Sequence, residues 1–163
     1  MEESARRARL EALFSAHAGA VRAYARRRIG AGAADDTVSE VFVVAWRRLE
    51  DVADDALPWL LGCARRDVAL QKRLSVSTAG VRIEDRILAL ALASLSDRDR
   101  EVLLLVAWEG LEPAKAARVL GCSRNALAVR LHRARRRLAA ALDQSGEPGH
   151  IDRELSGPAR EAV

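Results

Sequence analysis

The sequence predicts an all-α protein. Half of its 163 residues are apolar but only 4% are aromatic, so any core must consist mainly of Ala, Leu and Val side chains. Ala and Leu lead the helix-propensity scale. Apolar residues recur at helical spacing, whereas no segment alternates convincingly as a strand. The length suits one ordinary domain or two small ones.

Three helices are predicted in the N-terminal half. The first covers residues 4–29, and two glycines follow it. Asp35 and Asp36 then stand where the second helix opens, because carboxylates complement the positive N-terminal end of a helix dipole. After the acidic loop 50–56, Pro58 begins the third helix in its favoured first-turn position.

The second helix has a wide apolar face. Two neighbouring rows of apolar side chains recur every four residues along it, namely Val38, Phe42 and Trp46, and Val41, Ala45 and Leu49. Because residues four apart share one side of a helix, we expect both rows to be buried.

The C-terminal half follows a small, polar stretch, SVSTAG at 75–80, which is the best linker candidate. A helical pattern resumes at 84–93. Ser96 and Asp99, three residues apart, form an acidic variant of the capping box and predict a helix start. Gly110 stands where that helix closes.

Charge is distributed unevenly over the C-terminal half. Residues 113–142 contain eight basic side chains and no acidic one, whereas residues 81–112 contain seven acids and four arginines. A general preference for arginine would raise its number everywhere but would not remove acids from one segment. The asymmetry is typical of a surface that binds phosphates.

The basic segment also has the spacing of a helix-turn-helix. Ala117, Gly121 and Leu127 supply a small residue for close helix crossing, a glycine for the sharp turn and an aliphatic side chain for the joint core. Ser123 is suited to cap the second helix, which begins at Arg124.

This second helix has two faces. At about 100° per residue, one narrow sector faces the domain core and contains Leu127, Leu131, Ala134 and Leu138. The first turns of the opposite sector contain Asn125, Ala128, Val129, His132 and Arg133. Arg and Asn can read base edges with two hydrogen bonds, and Ala or Val can contact a thymine methyl group.

The arginines that remain on this helix suit other contacts. Arg124, Arg130 and Arg135 flank the apolar sector. Arg136 and Arg137 lie with Arg135 along the exit of the helix, where phosphate contact is more natural than base reading. The alternative is an amphipathic surface helix with ordinary solvated arginines.

Two blocks of the sequence resemble the sigma-70 family of bacterial RNA polymerase sigma factors. LSDRDREVLLLVAWEGLEPAKAARVLGCSRNALAVRLHRARRRL is similar to region 4, the promoter-reading domain. ADDTVSEVFVVAWRRL followed by PWLLGCARRDVALQKRL is similar to region 2. Their order, with only a short linker between them, resembles the extracytoplasmic-function subfamily.

The resemblance implies two small helical domains joined by a short flexible linker. Region 2 would cover residues 1–73, the linker 74–85 and region 4 residues 86–142. The tail 143–163 is polar with Gly and Pro, so we expect it to be disordered or loosely packed.

The resemblance also implies a function. Such a factor binds core RNA polymerase, directs it to promoters and helps to open the duplex. Region 2 docks on the clamp helices of the largest subunit and captures the −10 element. Region 4 reads the −35 element as duplex and touches the polymerase flap. An anti-sigma factor is a further expected partner, and no small-molecule substrate is implied.

Site residues follow from the same resemblance. The expected polymerase-binding residues are Asp36, Ser39, Glu40 and Arg47. The expected contacts to the −10 element are Arg65, Arg66, Lys72 and Arg73. The expected contacts to the −35 element are Ser123, Arg124, Asn125, Ala128, Val129, Arg130, His132, Arg133, Arg136 and Arg137.

The acidic loop is unusual in this setting, because residues 50–57 stand where the family holds a flipped −10 base. Taking a base out of the stack costs a few kcal/mol, which cationic neighbours must offset. An acidic loop that faces DNA is electrostatically unfavourable. We therefore expect its tip to point away from phosphates or to be mobile until DNA binds.

The chain departs from the family pattern at three places. Ser39 stands where the family usually has Gln, and Arg66 where it commonly has Asn. In the recognition helix, ALAV at 126–129 replaces the usual Thr-Val-Lys-Ser, which removes a lysine and two hydroxyls from the reading side. No family promoter sequence can therefore be transferred to this protein.

Two other classes of function are compatible with parts of the sequence. One is a free-standing helix-turn-helix regulator, which would bind duplex DNA without polymerase as a dimer. The other is an all-helical adaptor or sequestering protein with no DNA role.

We do not expect an enzyme, a cofactor or a metal. The three histidines lack metal or triad spacing, and no phosphate-binding glycine loop is present. Cys63 and Cys122 are far apart and have no CxxC partner, so we expect two small buried side chains. The start of the chain lacks the apolar core of a signal peptide, and we expect a cytoplasmic protein.

Overall fold

The structure is a computed structural model that describes residues 3–74 and 86–145. These residues form helices and turns without a strand, so the all-α prediction is confirmed. The helices are α1 (Glu3–Ile29), α2 (Ala31–Arg47), α3 (Ala56–Leu74), α4 (Arg86–Ala93), α5 (Asp97–Ala107), α6 (Pro113–Leu120) and α7 (Arg124–Ser145), with a short 3₁₀ turn at Leu49–Asp51.

Helices α1, α2 and α3 pack together as the N-terminal domain. Five of the six residues in the apolar rows of α2 and the turn that follows it are buried, as predicted. Trp46 is half-buried instead, and the Arg6 guanidinium lies 5.0 Å from the centre of its ring. Phe14 packs edge-on against Phe42 with ring centres 4.9 Å apart, although it is 47% exposed.

Two predicted helix starts in this domain are wrong. Helix α2 begins at Ala31, so Asp35 and Asp36 lie in its second turn and its first turn contains no acid. Gly30 lies between α1 and α2 and has a positive φ of 82°. Glycine adopts this conformation readily because it has no Cβ atom, so a single residue can separate the two helices. Helix α3 starts two residues before Pro58, which still falls within the first turn.

Helices α4 to α7 form the C-terminal domain, and their caps agree with the sequence. The Ser96 hydroxyl accepts a hydrogen bond from the Asp99 backbone N–H at 3.2 Å, which confirms the predicted start of α5. Gly110 follows α5 with φ 64°. The core of this domain contains Leu92, Val102, Leu105, Ala116, Leu127, Leu131 and Ala134.

Helix α7 is longer than predicted. Helix α7 continues to Ser145, so residues 143–145 are helical and not part of a loose tail. The linker candidate 75–80, residues 84 and 85 of the next predicted helix, and residues 146–163 of the tail lie outside the described residues.

The two domains contact each other directly. Helix α3 packs against α6, and ion pairs join α1 to α5 and to the turn after it. This contact places the predicted −10 surface of the first domain beside the helix-turn-helix of the second. None of the helices within residues 3–74 and 86–145 is long and apolar enough to cross a membrane.

Candidate nucleic-acid interface

The turn between α6 and α7 has helix-turn-helix geometry. Gly121 adopts a left-handed conformation with φ 63° and ψ 37°. The N–H of the next residue, Cys122, donates to the Ala117 carbonyl at 3.0 Å, so the turn satisfies carbonyls at the end of α6. The Ser123 hydroxyl then accepts from the Ala126 N–H at 3.1 Å, which confirms Ser123 as the cap of α7.

The inner face of α7 fixes the direction of its outer face. Leu127, Leu131 and Ala134 are buried and Leu138 is half-buried, as the spacing predicts. Because these side chains attach the helix to its domain, the opposite side must face solvent. Exposed on α7 and at its cap are Ser123, Arg124, Asn125, Ala128, Val129, Arg130, His132, Arg133, Arg135, Arg136 and Arg137.

We call the side formed by Arg124, Asn125, Ala128, Val129, His132 and Arg133 the reading face. Val129 is 50% exposed, an apolar side chain in water that is suited to contact a thymine methyl group. Arginine and asparagine donors surround it on the same exposed side. The arrangement can supply both base contacts and cationic contacts to a duplex.

Arg137 differs from the other arginines of α7. Its guanidinium pairs with the carboxylate of Asp99 on α5, and that carboxylate is only 10% exposed. The pair ties the exit of α7 to the start of α5. Arg137 therefore has a partner inside the domain that the sequence did not reveal.

The predicted −10 residues of α3 lie on different sides of the helix. Arg65 and Lys72 line a cleft of about 470 Å³ between the domains, together with Arg130 of α7. Arg66 lines a separate groove, between α2 and α3, together with Glu40. Arg73 is exposed near the end of α3. One predicted −10 residue, Arg66, thus lines the same groove as a predicted polymerase residue, Glu40.

The predicted polymerase residues lie along α2 and are all exposed. Asp36, Glu40 and Arg47 follow one side of the helix at helical spacing. Val43 lies on the same side and is 42% exposed, although the sequence had not indicated it. The Ser39 hydroxyl donates to the Asp35 carbonyl at 3.1 Å, a bond within the helix. We call Asp36, Glu40, Val43 and Arg47 the α2 stripe.

A polar network sets the position of α2 against α3. Thr37 is completely buried, and its hydroxyl donates to an Asp67 carboxylate oxygen at 2.7 Å. The Gln71 amide donates to the same carboxylate oxygen at 2.7 Å and to the Thr37 hydroxyl at 3.0 Å. Thr37 is buried and the other two residues are half-buried, so the network satisfies a buried hydroxyl and links α2 to α3. Asp67 also lines the α2–α3 groove.

A second group joins the two domains, and we call Tyr24, Arg27, Arg28, Glu101 and Glu109 the interdomain ion cluster. The Arg28 guanidinium donates to Glu101 at 2.8 Å and to Glu109 at 3.1 Å. The Tyr24 hydroxyl donates to Glu101 at 2.7 Å, and Arg27 pairs with Glu109. The side chains of Arg28 and Glu109 are only 3% and 5% exposed.

The protonation states in this cluster follow from its surroundings. Burial raises the pKa of the Tyr24 phenol, and the Glu101 charge adds to the shift, so the phenol keeps its proton and donates. Burial alone would lower the pKa of Arg28, but the charges of Glu101 and Glu109 and the hydrogen bond to Glu101 raise it above its ordinary value. The arginine therefore stays charged. Its Nη2 atom has no hydrogen-bond partner among the described residues, and its guanidinium lies 3.6 Å from the centre of the Tyr24 ring.

The acidic loop contacts the helix-turn-helix. Asp55 pairs with Lys115 at 3.4 Å and with Arg118 at 3.2 Å, both on α6. We expected the tip of this loop to point away from phosphates or to be mobile. Asp55 lies instead against two cations of the other domain, a contact that sequence reasoning had no means of finding.

Within the described residues neither cysteine forms a disulfide, and the Cys63 sulfur accepts a hydrogen bond from the Arg66 guanidinium at 3.4 Å. Cys63 is buried as expected, whereas Cys122 is only half-buried in the turn before α7. Among residues 3–74 and 86–145, no three His, Cys, Asp or Glu side chains converge as metal ligands.

Comparison with known protein families defines the class of protein. Residues 13–73 match the model for sigma-70 region 2, and residues 85–138 match the model for sigma-70 region 4. The first match includes α2 with its α2 stripe, and the second includes the helix-turn-helix. The fold and the two matches together define a sigma-70-type RNA polymerase sigma factor.

Individual relatives narrow this class. The ECF RNA polymerase sigma factor SigL of Mycobacterium tuberculosis is 31% identical over 88% of this chain and 94% of its own length. The sigma factor CnrH of Cupriavidus metallidurans is 32% identical over 69% of this chain and 75% of its own. The chain therefore belongs to the extracytoplasmic-function (ECF) subfamily of sigma-70 factors. Such factors are in general initiation factors rather than enzymes.

Solved structures agree with this assignment. CnrH in complex with the cytosolic domain of CnrY superposes with a TM-score of 0.64 at 30% identity, over 83% of this chain and 88% of that one. RpoE of Bartonella quintana, in complex with the anti-sigma factor NepR, gives the same TM-score at 23% identity over 82% and 96% of the two chains. At 23% identity, the similarity to RpoE shows a shared fold only.

Proposed function

We propose that this protein divides promoter recognition between its two domains. The N-terminal domain binds core RNA polymerase and captures and opens the −10 element. The helix-turn-helix reads the −35 element as duplex and contacts the polymerase flap. The protein acts in the cytoplasm with the polymerase.

The α2 stripe is the proposed surface for the clamp helices of the largest polymerase subunit. Its charged side chains are exposed and Val43 supplies an apolar contact between them. Exposed acids beside an apolar side chain suit a partner surface with basic residues around an apolar centre. The proposed polymerase surface also includes Ser39, a polar residue of α2 that is not part of the α2 stripe.

The α3 helix is the proposed −10 surface. Arg65, Arg66, Lys72 and Arg73 are all exposed, and cationic side chains near a flipped base offset the cost of unstacking it. Because Arg65 and Lys72 face the cleft beside α7, we expect them to reach DNA only when the domains separate.

The −35 element is assigned to the reading face, and one observation carries this proposal. Leu127 and Leu131 of α7 are buried while the donors of the reading face are exposed on the opposite side. A recognition helix needs this division, because its inner side attaches to the domain and its outer side enters the major groove. Arg130, Arg136 and Arg137 would contact the phosphate backbone on either side.

An anti-sigma factor is a proposed protein partner. The solved structures of CnrH and of Bartonella quintana RpoE contain CnrY and the anti-sigma factor NepR, respectively. We extend this type of partner to the present chain on the basis of its relatedness to CnrH.

Run-off transcription with purified core polymerase tests the proposal. Genomic promoter fragments are transcribed with core enzyme alone, with the wild-type protein, and with Arg133→Ala. We expect transcripts of defined length only when the wild-type protein is present, and fewer with the variant. If the protein produces no specific start site on any fragment, the proposed function is wrong.

The free-standing regulator is the second candidate, and the region 2 match does not favour it. It would bind a specific duplex as a dimer without polymerase. Sedimentation of the protein with duplex DNA, in the absence of polymerase, distinguishes the two candidates by the number of chains bound.

A further inference from the structure

We propose that Val129 recognises the 5-methyl group of a thymine in the −35 element, so that the protein selects promoters with thymine at this position. The inference rests on the proposed function in one respect, that α7 enters the major groove of a DNA duplex. It goes beyond that function because it names the base that is read and the side chain that reads it.

Val129 lies at the outermost point of α7. At 100° per residue, its direction is about 170° from the mean direction of the four core-facing side chains. These are Leu127, Leu131, Ala134 and Leu138, of which the first three are buried, whereas Val129 is 50% exposed. A recognition helix presents the side opposite its core to the groove. Val129 therefore enters the groove at the centre of the reading face.

The packing of α7 fixes the orientation of Val129. The Ser123 hydroxyl caps the helix through the Ala126 N–H at 3.1 Å, and Leu127 and Leu131 are buried two residues before and after the valine. A valine in a helix has one strongly preferred side-chain rotamer. Its methyl groups are therefore in place before DNA binds, and the contact costs little conformational entropy.

The neighbours of Val129 give its exposure a meaning. Isolated apolar side chains are common on protein surfaces, so exposure alone would not indicate a ligand. Asn125 and Arg133 lie one turn before and one turn after Val129, and both are exposed on the same side of α7. Such polar side chains can hold the helix against base edges and phosphates. Val129 thus lies inside a polar contact surface, where a bound duplex would cover it.

Thymine is the base that suits an apolar side chain in the major groove. It presents a C5-methyl group there, whereas guanine, adenine and cytosine present hydrogen-bond donors and acceptors. The Val129 side chain has no hydrogen-bonding group, and neither has that of Ala128 beside it. A valine against another base would cover polar atoms and leave them without a partner, which is unfavourable. Val129 therefore favours thymine and disfavours the other bases.

The experiment uses holoenzyme assembled from the full-length protein and core polymerase, on a promoter fragment that gives a specific run-off start site. Each thymine of the −35 element, on either strand, is replaced in turn by deoxyuridine, which lacks the methyl group and keeps every hydrogen-bonding group. Competition between the two duplexes for holoenzyme measures the ratio of their affinities. We expect the wild-type protein to lose about fourfold in affinity at one thymine, the effect of one buried methyl group.

Val129→Ala shows whether this side chain makes the contact. The residue is exposed and alanine is the better helix former, so the variant keeps its fold, which circular dichroism verifies. We expect the variant to bind the thymine and deoxyuridine duplexes with equal affinity. Leu90→Ala is the matched control, since Leu90 is a 57% exposed apolar residue of the same domain but lies on α4. The control should keep the wild-type ratio.

Two results would overturn the proposal. A −35 element without thymine, or equal wild-type affinities at every substituted position, shows that no methyl group is read. An equal loss for the wild type and Val129→Ala shows that another side chain reads the methyl group. In both cases specific initiation persists, so the proposed function stands and only the role of Val129 is wrong. Absence of specific initiation on every fragment contradicts the proposed function itself, and this proposal with it.

Discussion

Arg133 illustrates how a neighbour's burial determines the role of a charged residue. It is exposed on α7 beside Leu131, which is 6% exposed and faces the core. Nothing in the identity of an arginine says whether it binds phosphate or water. The buried leucine fixes the rotation of the helix about its axis. Arg133 therefore points outward, together with Asn125 and Val129.

We expect Arg133→Ala to reduce binding to duplex DNA and to reduce its salt dependence. The loss of one phosphate contact lowers the slope of log K against log salt by about 0.9. Arg7→Ala is the matched control, because Arg7 is exposed on α1, in the other domain. Fluorescence anisotropy at several salt concentrations gives both slopes. A slope for Arg133→Ala equal to that of Arg7→Ala would remove Arg133 from the list of phosphate contacts.

Some basic residues of the C-terminal domain form ion pairs within the protein. Of the basic residues in 113–142, Arg137 pairs with Asp99, and Lys115 and Arg118 pair with Asp55. A count of charges along the chain predicts a phosphate-binding surface but cannot distinguish these residues from the solvated ones. The partner of Arg137 lies 38 residues away in the chain, and the partner of Arg118 lies 63 residues away. Only folding brings these pairs together.

The helices of this protein are delimited mainly by glycine conformations and hydroxyl caps. Gly30, Gly110 and Gly121 have positive φ, and each lies where one helix ends. Ser96 and Ser123 cap the helices that follow. These local signals explain why most helices could be predicted from the sequence. They failed for the start of α2, where two acids suggested the opening of the helix but the helix begins directly after Gly30.

A substitution in the α6–α7 turn tests whether a glycine conformation delimits these helices. Gly121→Ala places a Cβ at φ 63°, where no atom lies within 4 Å of it, so the penalty comes from the backbone alone. We expect the free energy of unfolding to fall by about 1–2 kcal/mol. Urea denaturation followed by circular dichroism measures this change.

The matched control for Gly121→Ala is Gly19→Ala. Gly19 lies inside α1, and its added Cβ would likewise meet no atom within 4 Å. Alanine there should stabilise the helix by roughly 0.5–1 kcal/mol. Opposite signs for the two substitutions support the assigned turn, and a stabilising Gly121→Ala would contradict it.

The protein as a whole keeps the α2 stripe and the reading face on different domains. The α2 stripe faces away from the buried rows of α2, and the reading face lies on α7. Between them lie the interdomain ion cluster and the packed α3–α6 pair. A change in one surface should therefore leave the other intact, provided that it does not disturb the contact between the domains.

Glu40→Lys tests this separation. The charge reversal lies in the α2–α3 groove next to Arg66, so it should weaken binding to core polymerase by about tenfold or more through repulsion of basic clamp residues. Glu11→Lys, an exposed site on α1, is the control with the same charge change. Pull-down of purified core polymerase measures both. Equal binding by the two variants would exclude Glu40 from the polymerase surface.

Periodicity, capping and charge in the sequence were sufficient to predict most of the helices and the two faces of α7, whereas the class of protein was predicted from the resemblance of two sequence blocks to the sigma-70 family. These features are local, because helix formation and amphipathicity depend on residues three or four positions apart. The contact between the domains was not predictable in this way. Tyr24 and Glu101 are 77 residues apart and Arg28 and Glu109 are 81 apart, and no short-range pattern encodes which buried charge meets which. That choice depends on packing α3 against α6, so the position of Asp55 against the helix-turn-helix emerged only from the folded arrangement.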